Sequence, residues 1–177
     1  KKDEPIQVAN SKLPGIYNFD NICAAICIGS FFKLSPEKIN AGINAYEPLN
    51  NRSQILKKGN NTIICDYYNA NPSSMKVAIE NFILLEKENK VVFLGDMFEL
   101  GNESLLEHKG VVDLLLNQKD ITCYFIGKDF YQNKANQSNF FFFENFDAFA
   151  DSIKNKKFEN NMILIKGSRG MALERTL

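Results

Sequence analysis

Short apolar runs alternate with longer segments of helical period over most of the chain beyond Pro48. The runs are apolar throughout, which is typical of parallel strands covered on both faces. They predict strands at 54–57, 62–66, 91–94, 122–126, 139–143 and 162–166. The periodic segments predict helices at 72–87, 104–117, 129–135 and 146–155, and one beginning near Gly170. This alternation indicates an α/β fold with a mostly parallel sheet and helices on both faces.

The segment before Pro48 has a different organisation, with two predicted helices and no strand. Residues 1–14 show no clear element, and residues at 22, 25/26, 28/29 and 32 then predict a helix with one buried face. Ser35 as N-cap and Pro36 at the first helical position begin a second helix that runs to about Ala45. We therefore place a domain boundary between 1–48 and 49–177. The chain opens without Met and stops in what resembles an unfinished helix, so we expect a fragment of a longer protein.

Composition narrows the class of protein. The 21 basic residues equal the 21 acidic residues, which removes the electrostatic case for a nucleic-acid partner. The sequence has no apolar run of membrane length, so we expect no membrane insertion. Its four cysteines contain no CxxC pair, so we expect no metal site and interpret them as small buried side chains in a reducing cytoplasm: Cys23, Cys27, Cys65 and Cys123.

Two polar clusters lie near the predicted strand at 62–66. Arg52 could bind phosphate through two parallel hydrogen bonds, or it is an ordinary surface residue on a linker. Asp66 could accept hydrogen bonds from ribose hydroxyls, and Asn69 and Asn71 would lie with it where ligands bind in open α/β sheets. Asn71 and Pro72 also predict the start of a helix, so a capped turn without a ligand is the alternative. We expect Arg52 and Asp66 at solvent-facing edges, where their substitution leaves the fold intact.

Two further clusters follow the strands at 91–94 and 162–166. Gly95 to Gly101 permits tight turns, and its acids Asp96 and Glu99 could hold an amine or Mg²⁺-bound water, unless this is an acidic surface loop. Lys166, Ser168 and Arg169 form a possible carboxylate or phosphate cradle, with an ordinary basic loop as the alternative.

The helix predicted at 104–117 adds two signals. Ser104 and Glu107 have the spacing of a capping box. His108 lies on the apolar stripe of that helix, where a packed, hydrogen-bonded histidine is the usual case. Neither G-x-x-x-x-G-K-[ST] nor G-x-G-x-x-G occurs in the sequence, so it lacks a triphosphate cradle of its own.

Five stretches together resemble the Mur ligases, in that family's order: YNFDNICAA (17–25), NNRSQ (50–54), DYYNANPSSM (66–75), LGDMFELG (94–101) with His108, and ILIKGSRGMALE (163–174). The resemblance implies a three-domain ATP-dependent ligase, of which this chain is the Rossmann-like C-terminal domain (49–177) and a helical stub from the central ATP-binding domain (1–48). The P-loop, the Mg²⁺-binding acid and the carbamylated lysine of the family are missing. The resemblance therefore implies no catalytic residue in this chain and no activity of the chain alone.

The resemblance also implies partners and site residues. The YNANP and KGSRGMALE stretches favour the member that adds D-Ala-D-Ala to UDP-MurNAc-tripeptide through an acyl phosphate, in cytoplasmic peptidoglycan precursor synthesis, with ATP and Mg²⁺ and as a monomer. ATP would be bound by Asn18, Asn21, Arg52 and Asp66. The cleft would be faced by Asn69, Asn71, Asp96, Glu99 and His108. The D-Ala-D-Ala carboxylate would be bound by Lys166, Ser168 and Arg169. Two alternatives stay open: a ligase resembling folylpolyglutamate synthetase, and a non-catalytic α/β binding module.

Overall fold

The computed structural model describes residues 8–13, 15, 18–49 and 51–177. Tyr17 and Asn50, which belong to two of the family-like stretches, lie outside the described residues. The chain divides into two compact units, Lys1–Leu49 and Asn50–Leu177. The assignment of the first unit to a central ATP-binding domain stays a prediction.

The first unit contains two helices, α1 (Phe19–Phe31) and α2 (Pro36–Ala45). Ser35 caps α2 as predicted, because its side chain accepts a hydrogen bond from the Lys38 N–H. The predicted buried face of α1 is wrong for the described residues. Gly29 is buried against Ile39, whereas three apolar side chains of that face are exposed: Ile26, Ile28 and Phe32. Among the residues that the structure describes, Gly29 is the buried residue of α1.

The second unit is built on a six-stranded sheet with the strand order β1-β2-β6-β3-β4-β5. Every neighbouring pair is parallel except β1 with β2, which are antiparallel. The short connection between β1 and β2 permits only that hairpin. The strands are β1 (Gln54–Lys58), β2 (Asn61–Asp66), β3 (Lys90–Gly95), β4 (Ile121–Ile126), β5 (Phe140–Phe143) and β6 (Met162–Lys166).

Helices cover both faces of this sheet. The helices are α3 (Pro72–Leu84), α4 (Ser104–Leu115), α5 (Lys128–Gln132) and α6 (Phe146–Ile153). One core joins α3, α4 and α5 to one face of the sheet, and a second joins α6 to the other face. Along β3, Val92 and Leu94 point into the first core and Val91 and Phe93 into the second. The predicted fold class is therefore confirmed.

The helix predicted near Gly170 is wrong. Two 3₁₀ turns, Arg169–Met171 and Leu173–Thr176, stand in its place. Ala172 between them has a φ of 48°, a left-handed conformation that an α-helix cannot continue through. Leu173 is fully buried in the second core, so tertiary packing holds this break in place.

The cysteines divide into two groups. Cys65 and Cys123 are buried as predicted, and burial raises the pKa of the Cys123 thiol to about 12. The prediction is wrong for Cys27, which lies on an exposed part of α1, and Cys23 on the same helix is only partly buried. Among the helices that the structure describes, none combines the length and the apolar character needed to cross a membrane.

Candidate functional site

The strands β2 and β6 are parallel neighbours, so their carboxyl ends reach the same edge of the sheet. Asp66 and Lys166, the last residues of these strands, are register partners although they are 100 positions apart in the sequence. Lys166 Nζ lies 2.6 Å from Asp66 Oδ2. The fold thus brings together the turns after β2 and β6, which the sequence analysis singled out separately.

Asp66 also holds the turn that precedes β1. Its Oδ1 accepts a hydrogen bond from the Ser53 N–H at 3.1 Å. Asn51 and Ser53 have φ values of 60° and 52°, so this turn is an unusual conformation that the bond to Asp66 supports. Arg52 between them is exposed, and its guanidinium carbon lies 4.1 Å from the centre of the Tyr68 ring. Asp66 itself is only 18% exposed, so it is less solvent-facing than we expected.

The turn after β2 ends in the predicted helix cap. Asn71 accepts a hydrogen bond from the Ser74 N–H, and the Ser74 hydroxyl accepts one from the Asn71 N–H, which completes a capping box. Asn69 is exposed, and its side-chain oxygen accepts a hydrogen bond from the Ala70 N–H. The amide groups of Asn69 and Asn71 therefore lie at the surface of this edge, while contact with a ligand stays a prediction.

The three residues predicted to bind a carboxylate differ in how far they are buried. Lys166 is only 2% exposed, and its ammonium is bonded to Asp66 and lies 3.5 Å from the Asn69 carbonyl oxygen. Ser168 is buried and accepts the Phe98 N–H at 2.8 Å instead of capping a helix. Arg169 is exposed, with its Nη1 3.8 Å from Glu174 Oε1. Only Arg169 of the three presents its charge to solvent.

Tyr67 and Glu174 are two neighbours of this edge that the sequence analysis did not single out as site residues. Burial raises the pKa of the Tyr67 hydroxyl, and the charges of Glu174 and Arg169 act on it in opposite directions. Each residue belongs to one of the family-like stretches, and that membership was the signal that could have found them.

Asp96, after β3, is in a different environment. Its carboxylate is buried and accepts hydrogen bonds from the Asp129 and Phe130 N–H groups at 3.1 and 3.0 Å. These groups belong to the first turn of α5, so Asp96 caps a helix that is distant in sequence. Burial raises the pKa of the Asp96 carboxyl, and the two N–H bonds partly oppose that shift. The prediction that Asp96 faces a cleft is wrong, because α5 uses its carboxylate.

His108 is fully buried in α4, so the prediction that it faces a cleft is also wrong. The packed, hydrogen-bonded interpretation is correct: the ring contacts Phe130 edge-on, and Nε2 accepts the Met97 N–H at 2.9 Å. The predicted capping box fails nearby, because Ser104 lies inside the first turn and its hydroxyl donates to Asp129. Glu99 is exposed with a φ of 66°, and its role at a cleft stays a prediction.

The ligand atoms of Asp96, His108 and Asp129 lie within 4.8 Å of one another, close enough to hold a metal ion. Backbone N–H groups already occupy the lone pair of His108 Nε2 and both oxygens of Asp96. A cation bound by His108 Nε2 would have to displace the Met97 N–H from its single lone pair, so we interpret this arrangement as a structural network.

Asn18 and Asn21 lie in the first unit. Asn18 is buried, and its side-chain oxygen accepts a hydrogen bond from Asn21 Nδ2 at 3.0 Å. The pair is therefore organised at the start of α1, and its contact with a nucleotide stays a prediction.

The fold is that of an α/β domain with a mostly parallel sheet, in which polar turns follow β2 and β6 at one edge. The family described as "Mur ligase, glutamate ligase domain" matches residues 51–169, and the chain belongs to this family. A UDP-N-acetylmuramoyl-tripeptide–D-alanyl-D-alanine ligase from Buchnera aphidicola subsp. Baizongia pistaciae is 34% identical over 92% of this chain and 36% of its own length.

Solved structures agree with this assignment. The UDP-N-acetylmuramoylalanyl-D-glutamyl-2,6-diaminopimelate–D-alanyl-D-alanyl ligase of Acinetobacter baumannii has a TM-score of 0.82 and 25% identity, covering 94% of this chain and 37% of that one. MurF ligase from Thermotoga maritima, solved in complex with ADP, shares the fold with a TM-score of 0.71 and 21% identity, covering 88% of this chain and 35% of that one. The chain thus spans just over a third of the length of these proteins.

Proposed function

We propose that this chain is the C-terminal part of an ATP-dependent ligase that adds D-Ala-D-Ala to UDP-MurNAc-tripeptide in peptidoglycan precursor synthesis. The observation that carries the proposal is the meeting of the turns after β2 and β6 at the Asp66–Lys166 pair. The two family-like stretches that favour this substrate follow these strands. Related ligases named for the same reaction support the choice within the family.

The nucleotide is proposed to lie against Arg52 and Asp66. The exposed guanidinium of Arg52 fits a phosphate group, since it is planar and offers paired donors. Each oxygen of Asp66 accepts one hydrogen bond within the chain and keeps a second lone pair for a ribose hydroxyl. Asn18 and Asn21, in the first unit, are proposed to contact a nucleotide. The Thermotoga maritima ligase of the same fold was solved in complex with ADP, which supports a nucleotide as the ligand.

Mg²⁺ fits this edge poorly. Asp66 lies beside an ammonium group, which opposes a divalent cation at the same carboxylate. We therefore assign Mg²⁺ to parts of the protein outside this chain. When bound there with ATP, it would neutralise phosphate charge while the tripeptide carboxylate is activated as an acyl phosphate.

Arg169 is proposed to hold the carboxylate of D-Ala-D-Ala and leave its amine free to attack the acyl phosphate. An exposed guanidinium can bind a carboxylate through two parallel bonds. Lys166 then contributes from beneath the surface, by holding Asp66 and the Asn69 carbonyl in place. Ser168 contributes by tying the Arg169 loop to Phe98.

We further propose that the protein acts as a cytoplasmic monomer. The balanced charge supports the absence of a nucleic-acid partner. The chain alone is proposed to be inactive, because its sequence contains no P-loop.

Kinetics of the full-length protein that contains this chain test the proposal. Arg169→Lys should raise KM for D-Ala-D-Ala about tenfold and KM for ATP much less, since Lys cannot form two parallel bonds. Arg52→Ala should instead raise KM for ATP more than KM for D-Ala-D-Ala. Arg175→Lys is the matched control, because Arg175 is also exposed and follows the same loop.

Three results would contradict the proposal. Small and equal effects of Arg169→Lys on both substrates would make Arg169 a surface residue paired with Glu174. An effect on ATP alone would move Arg169 to the phosphate site. Failure of the wild-type protein to join D-Ala-D-Ala to UDP-MurNAc-tripeptide would remove the function itself.

A further inference from the structure

The loop after β3 is held by hydrogen bonds from two sides. The Met97 N–H donates to His108 Nε2 at 2.9 Å, and the next amide, Phe98 N–H, donates to Ser168 Oγ at 2.8 Å. The Ser168 N–H donates to the Asp96 carbonyl oxygen at 3.1 Å. Residues 96–98 therefore connect a histidine of α4 to the loop that carries Arg169.

The tautomer of His108 follows from its partners. Nδ1 lies 2.6 Å from the Ser104 carbonyl oxygen, which can only accept a hydrogen bond. Nδ1 must therefore carry the proton, and Nε2 is the acceptor for the Met97 N–H. A neutral ring with this tautomer satisfies both partners.

Close packing transmits the position of this loop to Arg169. A Cβ atom on Gly170 would lie 2.5 Å from Phe98 Cε2, so the Phe98 ring rests directly on the backbone beside Arg169. A Cβ on Gly167 would lie 3.0 Å from the Gly95 Cα. The backbone around Ser168 thus contacts the Gly95 backbone on one side and the Phe98 ring on the other, which leaves little room for one loop to shift without the other.

We propose that His108 is a positioning residue for the Arg169 loop. By accepting the Met97 N–H it sets the path of residues 96–98, and the adjacent Phe98 N–H and Asp96 carbonyl then hold Ser168 and direct Arg169. The link to substrate rests on the proposed function of Arg169. The coupling between the two loops does not.

Two variants of the full-length protein separate this role from simple core packing. His108→Gln keeps an acceptor near the position of Nε2, whereas His108→Asn keeps a donor near Nδ1 and loses the acceptor for Met97. Hydrogen exchange should be faster at Met97, Phe98 and Ser168 in His108→Asn and close to wild type in His108→Gln. His108→Asn should also raise KM for D-Ala-D-Ala about tenfold, the loss expected for one buried hydrogen bond, with KM for ATP within about twofold.

A double variant tests whether the effect passes through Arg169. In an Arg169→Ala background, His108→Asn should cause no further rise in KM for D-Ala-D-Ala, because the two residues act in one path. If the effects instead add, or if the Gln and Asn variants behave alike, His108 is a packing residue and the inference is overturned.

Exchange data separate this inference from the proposed function. If the wild-type protein does not use D-Ala-D-Ala, the proposed function fails, and exchange at Phe98 and Ser168 still decides the loop coupling. If His108→Asn does not fold, the wild-type protein decides it: the amides of Met97, Phe98 and Ser168 should open at one common rate. Unrelated rates at these three amides would overturn the inference.

Discussion

Two acid-containing clusters lie at the carboxyl ends of the strands and differ in what surrounds them. At the ends of β2 and β6, Asp66 pairs with buried Lys166 while exposed polar groups extend from the turns around them. After β3, Asp96 is enclosed by α4 and α5, and backbone amides use both of its oxygens. Both acids follow an apolar run in the sequence. An acid at the end of a strand can thus either lie beside an open surface or cap a distant helix. The helices and strands around it determine which of the two it does.

The enclosed cluster should be the more sensitive to added volume. Gly127 has a φ of 129°, and a Cβ there would lie 2.2 Å from the Asp96 carboxylate. Gly127→Ala should therefore lower the free energy of unfolding by about 3 kcal/mol or more, through both backbone strain and collision. Denaturant unfolding measures this change.

Gly110→Ala is the matched control for that prediction. Gly110 lies in α4 and is exposed, and a Cβ atom added to it would meet no other atom within 4 Å. Alanine should stabilise this helix by about 0.5–1 kcal/mol. Equal losses in the two variants would mean that Asp96 yields easily and that the cluster is not tightly enclosed.

The Asp66–Lys166 pair should show a smaller but clear effect. Asp66→Asn leaves a buried ammonium without its charged partner, at a cost of about 1–3 kcal/mol, since Asp66 is partly exposed. Replacing both residues by apolar ones, as Asp66→Leu with Lys166→Met, should recover part of that loss in unfolding experiments.

Asp113→Asn is the control for this pair. Asp113 forms an exposed ion pair with Lys109 one turn away on α4, and such pairs contribute about 0.3–0.5 kcal/mol. If Asp66→Asn cost no more stability than Asp113→Asn, the Asp66–Lys166 pair would behave as a surface contact. That result would contradict our conclusion that Asp66 is largely shielded from solvent.

The smallest expected effect is a pH dependence from Asp96. Burial raises the pKa of this carboxyl in the folded state above its ordinary value of 3.8, so the folded state binds the proton more tightly. The resulting stability is present below that value and is lost as pH rises through the folded pKa, by at most about 1.4 kcal/mol per pH unit.

Asp96→Asn should remove this dependence. The variant should be less stable than wild type at low pH, and the gap should narrow as the pH rises, because only the wild type loses stability. The titratable groups that face Asp96 are His108 from α4 and Asp129 from α5, and both remain in the variant. Denaturant unfolding at a series of pH values compares the two proteins, and a constant gap would contradict the raised pKa.

Much of the fold could be predicted from local signals. Apolar runs located all six strands, and Asn71 with Pro72 located the start of α3. Two of the errors occurred where distant residues compete for a local group. Ser104 has the spacing of a capping box, yet its hydroxyl is used by Asp129, and the helix expected near Gly170 is broken because Leu173 is drawn into the core.

Some features of the candidate site could likewise be predicted from the sequence, and others could not. The sequence identified Arg52, Asp66 and Arg169 by residue type and by their position next to apolar runs. It could not show that Lys166 is buried, since burial depends on the strands beside β6 and the turn above it. Nor could the sequence show that Asp96 is enclosed while Asp66 lies at the edge of the sheet, because the helix that Asp96 caps begins more than 30 positions later.

The amino-acid sequence alone determined the α/β class, the strand positions, the helix caps made by near neighbours and the family resemblance, because these depend on patterns within a few residues. The tertiary structure decided the strand order, the pairing of Asp66 with Lys166, and which strand-end acid is enclosed and which lies beside an open surface. Those outcomes depend on contacts between residues that lie from more than 30 to 100 positions apart, whose formation requires the sheet to be assembled first.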